Sequence, residues 1–379
     1  MIPYKHINIL IMPTDYCNMN CVYCFNSKRT AREKNRMSTQ TLQKIFLASI
    51  PYYQHIRFIW HGGEPTSAGV DFYRQALRMQ REINDCGTVI ENSIQTNLTL
   101  ADEEMFRFFV ENKFHIGSSF DGTTNDMTRH NTDRILAGRE KVLSCGGTVG
   151  FICVVQSHNA DRLIEDYEWF KSKGINYTLN PYLTSPPFED DALFVDAERY
   201  IKAFCDLFDY WKNDKECQIR LSSFYEYLHY ILFKEKSLCC YKSCLGKHIG
   251  VLYDGRIFNC NRDFPEEFCY GNISDYRDIR ECFESEGFKR SIDAAYTRRQ
   301  FCMQNCGIYD FCEGGCNSCA MTYGDMSQPN PYLCQITKAI YEHIKNSVLA
   351  LAAQDVAEGQ INPQLYQMIR RYRQTADKA

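Results

Sequence analysis

Three cysteines stand close together near the start of the chain, in the stretch PTDYCNMNCVYCFN at residues 13–26. Cys17, Cys21 and Cys24 form a C-x3-C-x2-C array directly after an apolar run. Three thiolates from one short loop can hold a metal cluster, but they leave one coordination position empty, as catalytic sites do and closed structural sites do not. No histidine falls within this loop to complete a zinc site. The spacing therefore favours a 4Fe–4S cluster with an open position.

The elements that must position this loop are predicted by an alternation of apolar and amphipathic segments over residues 6–182. Six short runs are predicted to be strands buried on both faces: HINILIM, IRFIWH, VIENSIQTN, HIGSSFDG, TVGFICVVQ and INYTLNPY. The segments between them have helical spacing, and Ser38 is predicted to cap the first helix. This order indicates βαβ units, a parallel sheet and the α/β class. The cysteine loop then follows the carboxyl end of the first strand, where α/β barrels place their chemistry.

The chain loses this alternation after residue 182, and four regions are predicted. Residues 1–182 form the barrel, residues 183–238 a bridging helical segment, residues 239–334 a cysteine-rich domain and residues 335–379 a helical tail. A chain of 379 residues exceeds the usual size of one domain, which is consistent with a large core and an attached module.

Composition limits the classes of partner. The net charge is −4 and no basic stripe is present, which argues against nucleic acid. The start of the chain does not have the pattern of a signal peptide, and no apolar run approaches the roughly 18 residues needed to span a membrane. The 20 cysteines are therefore expected to be reduced in a cytoplasmic protein, with many of them serving as metal ligands.

The first array, with Tyr23 just before its last cysteine, resembles the signature of the radical S-adenosylmethionine (SAM) superfamily. The resemblance implies a partial (β/α)6 barrel and a 4Fe–4S cluster whose free iron binds the methionine moiety of SAM. When reduced, such a cluster cleaves SAM to methionine and a 5′-deoxyadenosyl radical. By the same resemblance, Phe25 lies where family members use the backbone to hold the adenine.

Further motifs follow in the order that the family shows. GGEPT at residues 62–66 matches a glycine-rich turn that meets the methionyl amino group, and QTN at residues 95–97 matches a triplet on the cofactor side. The resemblance implies a ribose contact from Ser119, a carboxylate-binding role for Arg129 and an adenine-wall role for Val155. The cofactor-binding residues implied by these matches, with those of the first array, are Tyr23, Phe25, Gly62, Gly63, Glu64, Pro65, Gln95, Asn97, Ser119, Arg129 and Val155.

The second array resembles the SPASM domain, which holds two auxiliary 4Fe–4S clusters, so that three clusters are expected in all. Cys244, Gly255 and Cys260 match its first element, and Asp254-Gly255 predicts a type I′ hairpin between the two cysteines. By resemblance, the first auxiliary cluster takes Cys244, Cys260 and Cys316 with either Cys239 or Cys240. The second takes a set that departs from the family spacing by one residue in its first interval, namely Cys302, Cys306, Cys312 and Cys334. Cys319 is either a spare cysteine or a misassigned ligand, and a zinc knuckle is the alternative for this region.

SPASM enzymes mostly modify peptides and proteins, so the resemblance implies a peptide or protein substrate. An electron donor such as flavodoxin or ferredoxin is also expected. The barrel begins within a few residues of Met1, which leaves no room for a fused leader-binding domain and predicts direct docking or a separate leader-binding partner.

The residue after Cys260 separates two kinds of SPASM enzyme. Sulfatase maturases carry an aspartate base there, whereas this chain has Asn261, which cannot take a proton. We therefore expect a maturase of a ribosomally synthesised peptide, with Asp263 as the candidate base. The alternatives are an anaerobic sulfatase-maturing, formylglycine-forming enzyme and a non-catalytic iron–sulfur or zinc scaffold.

Overall fold

A parallel sheet forms the N-terminal part of the protein in a computed structural model, which describes residues 5–24, 26, 35–184, 191–262, 265–354 and 356–376. Its first six strands lie in chain order, and each pairs in parallel with the next. They are β1 (His6–Ile11), β2 (His55–Trp60), β3 (Val89–Gln95), β4 (His115–Ser119), β5 (Val149–Val155) and β6 (Tyr177–Pro181). The six predicted strands and the α/β class are confirmed.

Helices connect successive strands and cover one face of the sheet. They are α1 (Thr39–Ser49), α2 (Val70–Ile83), α3 (Glu103–Glu111), the short α4 (Asn125–Thr128), α5 (Thr132–Ser144) and α6 (Leu163–Ser172). Ser38 caps α1 as predicted, since its hydroxyl accepts a hydrogen bond from the Thr41 backbone N–H at 3.0 Å. Buried aromatic rings fill the space between sheet and helices, with Trp60 packed edge-to-face on Tyr73 at 5.3 Å between ring centroids.

The two faces of the sheet differ because side chains alternate along each strand. Ile94, Ile116 and Ser118 are buried on the helix-covered face. Gln95 pairs with Gly117, so both point to the opposite, inner face, where they remain partly exposed. The Gln95 amide occupies the space beside Gly117, since a Cβ atom there would lie 2.4 Å from Gln95 Oε1. The inner face is thus the accessible one at the carboxyl ends of the strands.

Four longer helices pack together beyond the sheet. They are α7 (Ala197–Asn213), α8 (Ser222–Phe233), α12 (Pro331–Ala353) and α13 (Pro363–Ala376). Phe208 and Trp211 of α7 meet Phe224 of α8 at 5.2 Å between ring centroids in each pair. The cysteine-rich region adds α9 (Glu286–Asn305) and the short helices α10 (Tyr309–Cys312) and α11 (Asn317–Thr322). Within the described part of the chain, every helix is too short or too polar to cross a membrane.

A hairpin from the cysteine-rich region continues the barrel sheet. Its strands are β7 (His248–Val251), which pairs in parallel with β1, and β8 (Ile257–Phe258), which pairs antiparallel with β7. The hairpin is confirmed, but its predicted type I′ turn is wrong. Gly255 has a φ of +88°, whereas Asp254 does not have the positive φ that a type I′ turn requires. The Gly255 N–H donates to Leu252 O at 2.9 Å, which indicates a three-residue loop ending in a left-handed glycine.

Candidate active site

The cysteine loop lies directly after β1 and is held from several sides. Its three thiols are partly buried, and the Met19 backbone N–H donates to Cys17 Sγ at 3.4 Å. The Asn97 side-chain amide lies 3.8 Å from the same sulfur. Burial raises the pKa of the Cys17 thiol to about 11, and Glu64 and the two other cysteines add to the rise. A bound cation is therefore what would convert these thiols to thiolates near neutral pH.

The glycine turn at residues 62–66 packs against the backbone that leads into the cysteine loop. Gly62 has a φ of +116°, and a Cβ atom on Gly63 would lie 2.3 Å from Tyr16 O. The Gly63 and Glu64 N–H groups donate to Thr14 O and Tyr16 O at 3.2 and 2.7 Å. These glycines therefore allow two loops to touch, and their predicted contact with a cofactor remains a proposal.

Glu64 clamps the ends of two neighbouring strands together. It is 1% exposed, and its Oε1 accepts hydrogen bonds from the Thr66 N–H, the Thr66 hydroxyl and the Thr96 hydroxyl at 3.0, 2.5 and 2.7 Å. Its Oε2 accepts one from the Asn97 N–H at 2.7 Å. Burial raises the pKa of this carboxyl, and the four hydrogen bonds oppose the rise. The carboxylate of Glu64 is thus occupied by hydrogen bonds to the two loops. Buried Pro65 follows it at the start of a 3-10 turn.

Tyr23 joins the cysteine loop to the end of β4. Its hydroxyl donates to Asp121 Oδ2 at 2.6 Å and accepts from Arg129 Nη1 at 3.2 Å. Asp121 is fully buried and also accepts from the Thr128 hydroxyl and the Val154 N–H, at 2.6 and 3.0 Å. Burial raises the pKa of Asp121, and Arg129 opposes that rise. Arg129 Nε is buried without a hydrogen-bond partner, so this side chain retains a donor for an anionic group.

The remaining predicted cofactor residues divide between the two faces of the sheet. Gln95 Nε2 donates to Ser119 Oγ at 3.3 Å on the inner face. Val155 is 0% exposed and belongs to the hydrophobic core, so its side chain does not reach that face. The adenine-wall prediction for Val155 is corrected, because the alternation along β5 leaves Val154 partly exposed instead. Phe25 and Asp263 lie outside the described residues.

One group of cysteines in the C-terminal region surrounds Cys316. Burial raises the pKa of each of the other members, that of Cys244 to about 12, and the Cys316 thiol adds to each rise. The other members are Cys239, Cys240, Cys244 and Cys260. Cys319, which the sequence assigned to no cluster, forms a hydrogen bond with Cys316. This bond lowers the pKa of Cys316 and raises that of Cys319.

A second group lines a cavity beside α12. Four cysteines face it together with Lys338, namely Cys302, Cys306, Cys312 and Cys334. Burial raises the pKa of Cys312 to about 12, with further contributions from the other three thiols. Within each of the two sets that the sequence assigned to an auxiliary cluster, the structure therefore places the cysteines near one another.

Comparison with known proteins decides the family. The Radical SAM superfamily model matches residues 11–170, which span the cysteine loop and the four strands β2 to β5. An uncharacterized protein of Methanothermobacter thermautotrophicus is 32% identical over 201 residues, which cover 51% of this chain and 74% of that protein. This chain belongs to the radical SAM superfamily.

One curated relative and one solved structure match almost the whole radical SAM chain. The cysteine-type anaerobic sulfatase-maturating enzyme of Clostridium perfringens is 27% identical over 356 residues, covering 89% of this chain and 96% of that enzyme. The solved structure of native anSMEcpe with bound AdoMet and Cp18Cys peptide superposes with a TM-score of 0.82 at 26% identity. That match covers 91% of this chain and 99% of the other, so the likeness includes the cysteine-rich region.

The site residues fit the cofactors of a radical SAM enzyme, a 4Fe–4S cluster and SAM. The three thiols of the first array share one loop after β1, and the orphaned Nε of Arg129 is a donor suited to an anionic group of the cofactor. Among the described residues, no three histidine, cysteine or acidic side chains converge on a point suited to one metal ion. A four-iron cluster does not require that convergence, because each thiolate binds a different iron.

Sequence reasoning missed two charged residues at the site. Arg262 follows Asn261 and lies among the first C-terminal group, where it lowers the pKa of Cys316. It also lowers the pKa of His61, after the larger effect of burial, to about 4. Asp121 is the second, and it occurs in the SFDG run that marked the end of β4. Arg262 lies between Asn261 and Asp263, and Asp121 lies two residues after Ser119, but only the fold shows which neighbours each one faces.

Proposed function

We propose that this radical SAM enzyme uses a 5′-deoxyadenosyl radical to abstract hydrogen from a side chain of a peptide, as a maturase of a ribosomally synthesised peptide. The observation that carries peptide modification is the match to 99% of a solved chain that binds both AdoMet and a peptide. A shared barrel alone would support radical chemistry. A shared C-terminal module as well supports the same class of substrate.

The choice of a peptide maturase over a sulfatase maturase rests on Asn261. Asn261 directly follows Cys260 and is 6% exposed. Its Nδ2 is buried without a hydrogen-bond partner. An amide donates hydrogen bonds at this position but does not accept a proton as a carboxylate does. This supports a reaction whose base, if one is needed, lies elsewhere, and Asp263 is our candidate.

The proposed enzyme holds three 4Fe–4S clusters. Cys17, Cys21 and Cys24 would hold the cluster that binds SAM, and the two C-terminal groups would hold the auxiliary pair. Cys302 and its three partners would complete one auxiliary cluster, and the group around Cys316 would complete the other. An electron donor such as flavodoxin or ferredoxin and a separate leader-binding partner belong to this proposal.

Sulfatase maturation is the second candidate, and a specific observation favours it. The Clostridium perfringens relative with that activity aligns over 89% of this chain. The discriminating feature is the single position 261, because both candidates otherwise use the same fold and the same cofactor.

One assay separates the two candidates. The anaerobic protein is incubated with SAM and a reductant, in parallel with a cysteine-containing sulfatase peptide and with a candidate precursor peptide, and product mass and 5′-deoxyadenosine are measured. We expect coupled modification of the precursor only. Conversion of the sulfatase peptide to its formylglycine form would establish sulfatase maturation instead, and the absence of 5′-deoxyadenosine from every reaction would contradict both candidates.

A further inference from the structure

A buried arginine lies between the two C-terminal cysteine groups. Arg298, on α9, is 0% exposed. Its guanidinium donates through Nε to Gly314 O at 2.8 Å, through Nη1 to Met326 O, and through Nη2 to Gly315 O at 3.3 Å and Asn317 Oδ1 at 2.5 Å. All four acceptors are neutral. In the described part of the chain, no carboxylate lies within ion-pair distance of it.

These contacts connect segments that carry cysteines of both groups. Gly314 and Gly315 have φ values of +81° and +75° and form the turn between Cys312, in one group, and Cys316, in the other. Cys302 stands four residues after Arg298 on α9 and therefore lies on the same face of the helix. One guanidinium thus fixes the spacing between the two groups.

A relay of side-chain amides extends this contact to the hairpin. Asn317 Nδ2 donates to Asn259 Oδ1 at 3.1 Å, and Asn259 Nδ2 donates to Cys244 Sγ at 3.5 Å. Both asparagines are buried. The chain Arg298–Asn317–Asn259–Cys244 therefore ends on a thiol of the first group.

A charge in this position requires an anionic partner. Burying an ionised group without a counter-ion is costly, so buried charges are normally paired. The side chain lies beside cysteines instead: its guanidinium binds the turn between Cys312 and Cys316, and Cys302 is on the same face of α9. Lys338 lines the cavity of the second group, whereas the hydrogen bonds of Arg298 reach the turn that joins the two groups.

We propose that Arg298 is the shared counter-cation of the two auxiliary iron–sulfur sites and holds them in register. This rests on the auxiliary clusters of the proposed function. Arg298 is a positioning residue, since its hydrogen bonds reach the loops that carry the cysteines. A positive charge between two anionic clusters stabilises their reduced, more negative forms and so raises their reduction potentials, because cluster potential depends on local charge and on hydrogen bonds to sulfur.

The test compares variants in a background in which Cys17, Cys21 and Cys24 are alanine, so that only auxiliary clusters contribute to the spectra. Arg298→Gln removes the charge. Asn317→Asp keeps the arginine but supplies a carboxylate that neutralises it. Arg298→Lys keeps the positive charge but lacks the planar guanidinium with its several N–H donors. Arg299→Gln is the matched control, since Arg299 is adjacent on α9, and its guanidinium lies 3.9 Å from Glu313. Iron and sulfide content, the melting temperature and the midpoint potentials from a redox titration followed by electron paramagnetic resonance are measured.

We expect the auxiliary midpoint potentials to fall in Arg298→Gln and Asn317→Asp and to stay at the background value in Arg298→Lys and Arg299→Gln. Arg298→Lys should lose melting temperature because one ammonium group cannot reach all four acceptors. If Arg298→Gln fails to assemble its clusters, the potential of Asn317→Asp decides. Potentials in Asn317→Asp equal to those of the background overturn the proposal. If the background protein contains no auxiliary iron, this proposal and the three-cluster proposal are both overturned. If auxiliary iron is complete but the potentials of Asn317→Asp are unchanged, only this proposal is overturned.

Discussion

Glu64 Oε2 accepts a hydrogen bond of 2.7 Å from the backbone N–H of Asn97, whose side-chain amide lies 3.8 Å from Cys17 Sγ. The buried carboxylate therefore sets the distance between the strand-end loops of β2 and β3 and, through Asn97, supports the cysteine loop. This gives the acidic residue of the GGEPT turn a structural task in addition to any contact with a cofactor.

Glu64→Gln should destabilise the protein. The amide places an NH2 donor against groups that already donate, and an unsatisfied buried donor costs about 1–3 kcal/mol. Urea unfolding under reducing conditions measures the loss, and iron content after purification should fall in parallel. Glu104→Gln is the control, because Glu104 is exposed on α3 and pairs with Arg74 at 2.6 Å. Equal stability of both variants would show that the clamp contributes nothing.

Replacing Cys17, Cys21 and Cys24 together with alanine should remove one cluster of three. Iron content is expected to fall from about twelve to about eight per chain, with the auxiliary absorbance retained. Formation of 5′-deoxyadenosine from SAM and reductant should be abolished. A triple variant that still cleaves SAM would show that the radical originates elsewhere.

Cys302 and Cys312 should be required for the second auxiliary cluster. Their joint replacement with serine is expected to lower iron content by about four per chain, because both thiols line the same cavity. Iron analysis and zinc analysis of the same preparation check this. Cys86→Ser provides the control, since Cys86 is exposed and distant in sequence from both groups. A stoichiometric zinc content in the wild-type protein would favour the zinc-knuckle alternative for this region.

Acid should destabilise the protein in part through His61. Burial and Arg262 lower its pKa to about 4, and its Nδ1 accepts a hydrogen bond from the Gly62 N–H at 2.7 Å. An unfolded histidine has a pKa near 6.5, so the unfolded state binds more protons between these values. The contribution of His61 to stability is therefore complete above about pH 6.5 and is lost as the pH falls towards 4.

His61→Asn tests this pH dependence. Asparagine retains an acceptor for the Gly62 N–H but does not titrate. The melting temperature of the variant should fall less steeply than that of the wild type between about pH 6.5 and pH 4, and the two slopes should agree above that range. Parallel curves throughout would assign the acid sensitivity to other groups.

Asp263→Asn should lower substrate modification by about 10²-fold, the scale expected for loss of a positioned base. Uncoupled cleavage of SAM should be unchanged, because that reaction needs only the first cluster and a reductant. Product mass and 5′-deoxyadenosine yield are measured side by side for variant and wild type. Full product formation would show that Asp263 is not the base.

Local patterns determined most of the fold. The six strands and Ser38 as the cap of α1 were predictable because strand periodicity and helix capping depend on residues close together in the chain. The C-x3-C-x2-C array was predictable for the same reason, since its chemistry needs only one short loop. The type I′ turn was not, because the register of β7 on β8 selected a different loop around the same Asp254-Gly255 pair.

Only the tertiary structure decided which distant residues meet. It placed Val155 in the core, joined Tyr23 to Asp121 across 98 residues, and brought Arg262 near Cys316. It also buried Arg298 between two cysteine groups that the sequence treated separately. A sequence specifies the chemistry that each side chain can perform. The burial, charge and hydrogen-bond partners that tune this chemistry come from segments far apart in the chain, and these come together only when the sheet and helices pack.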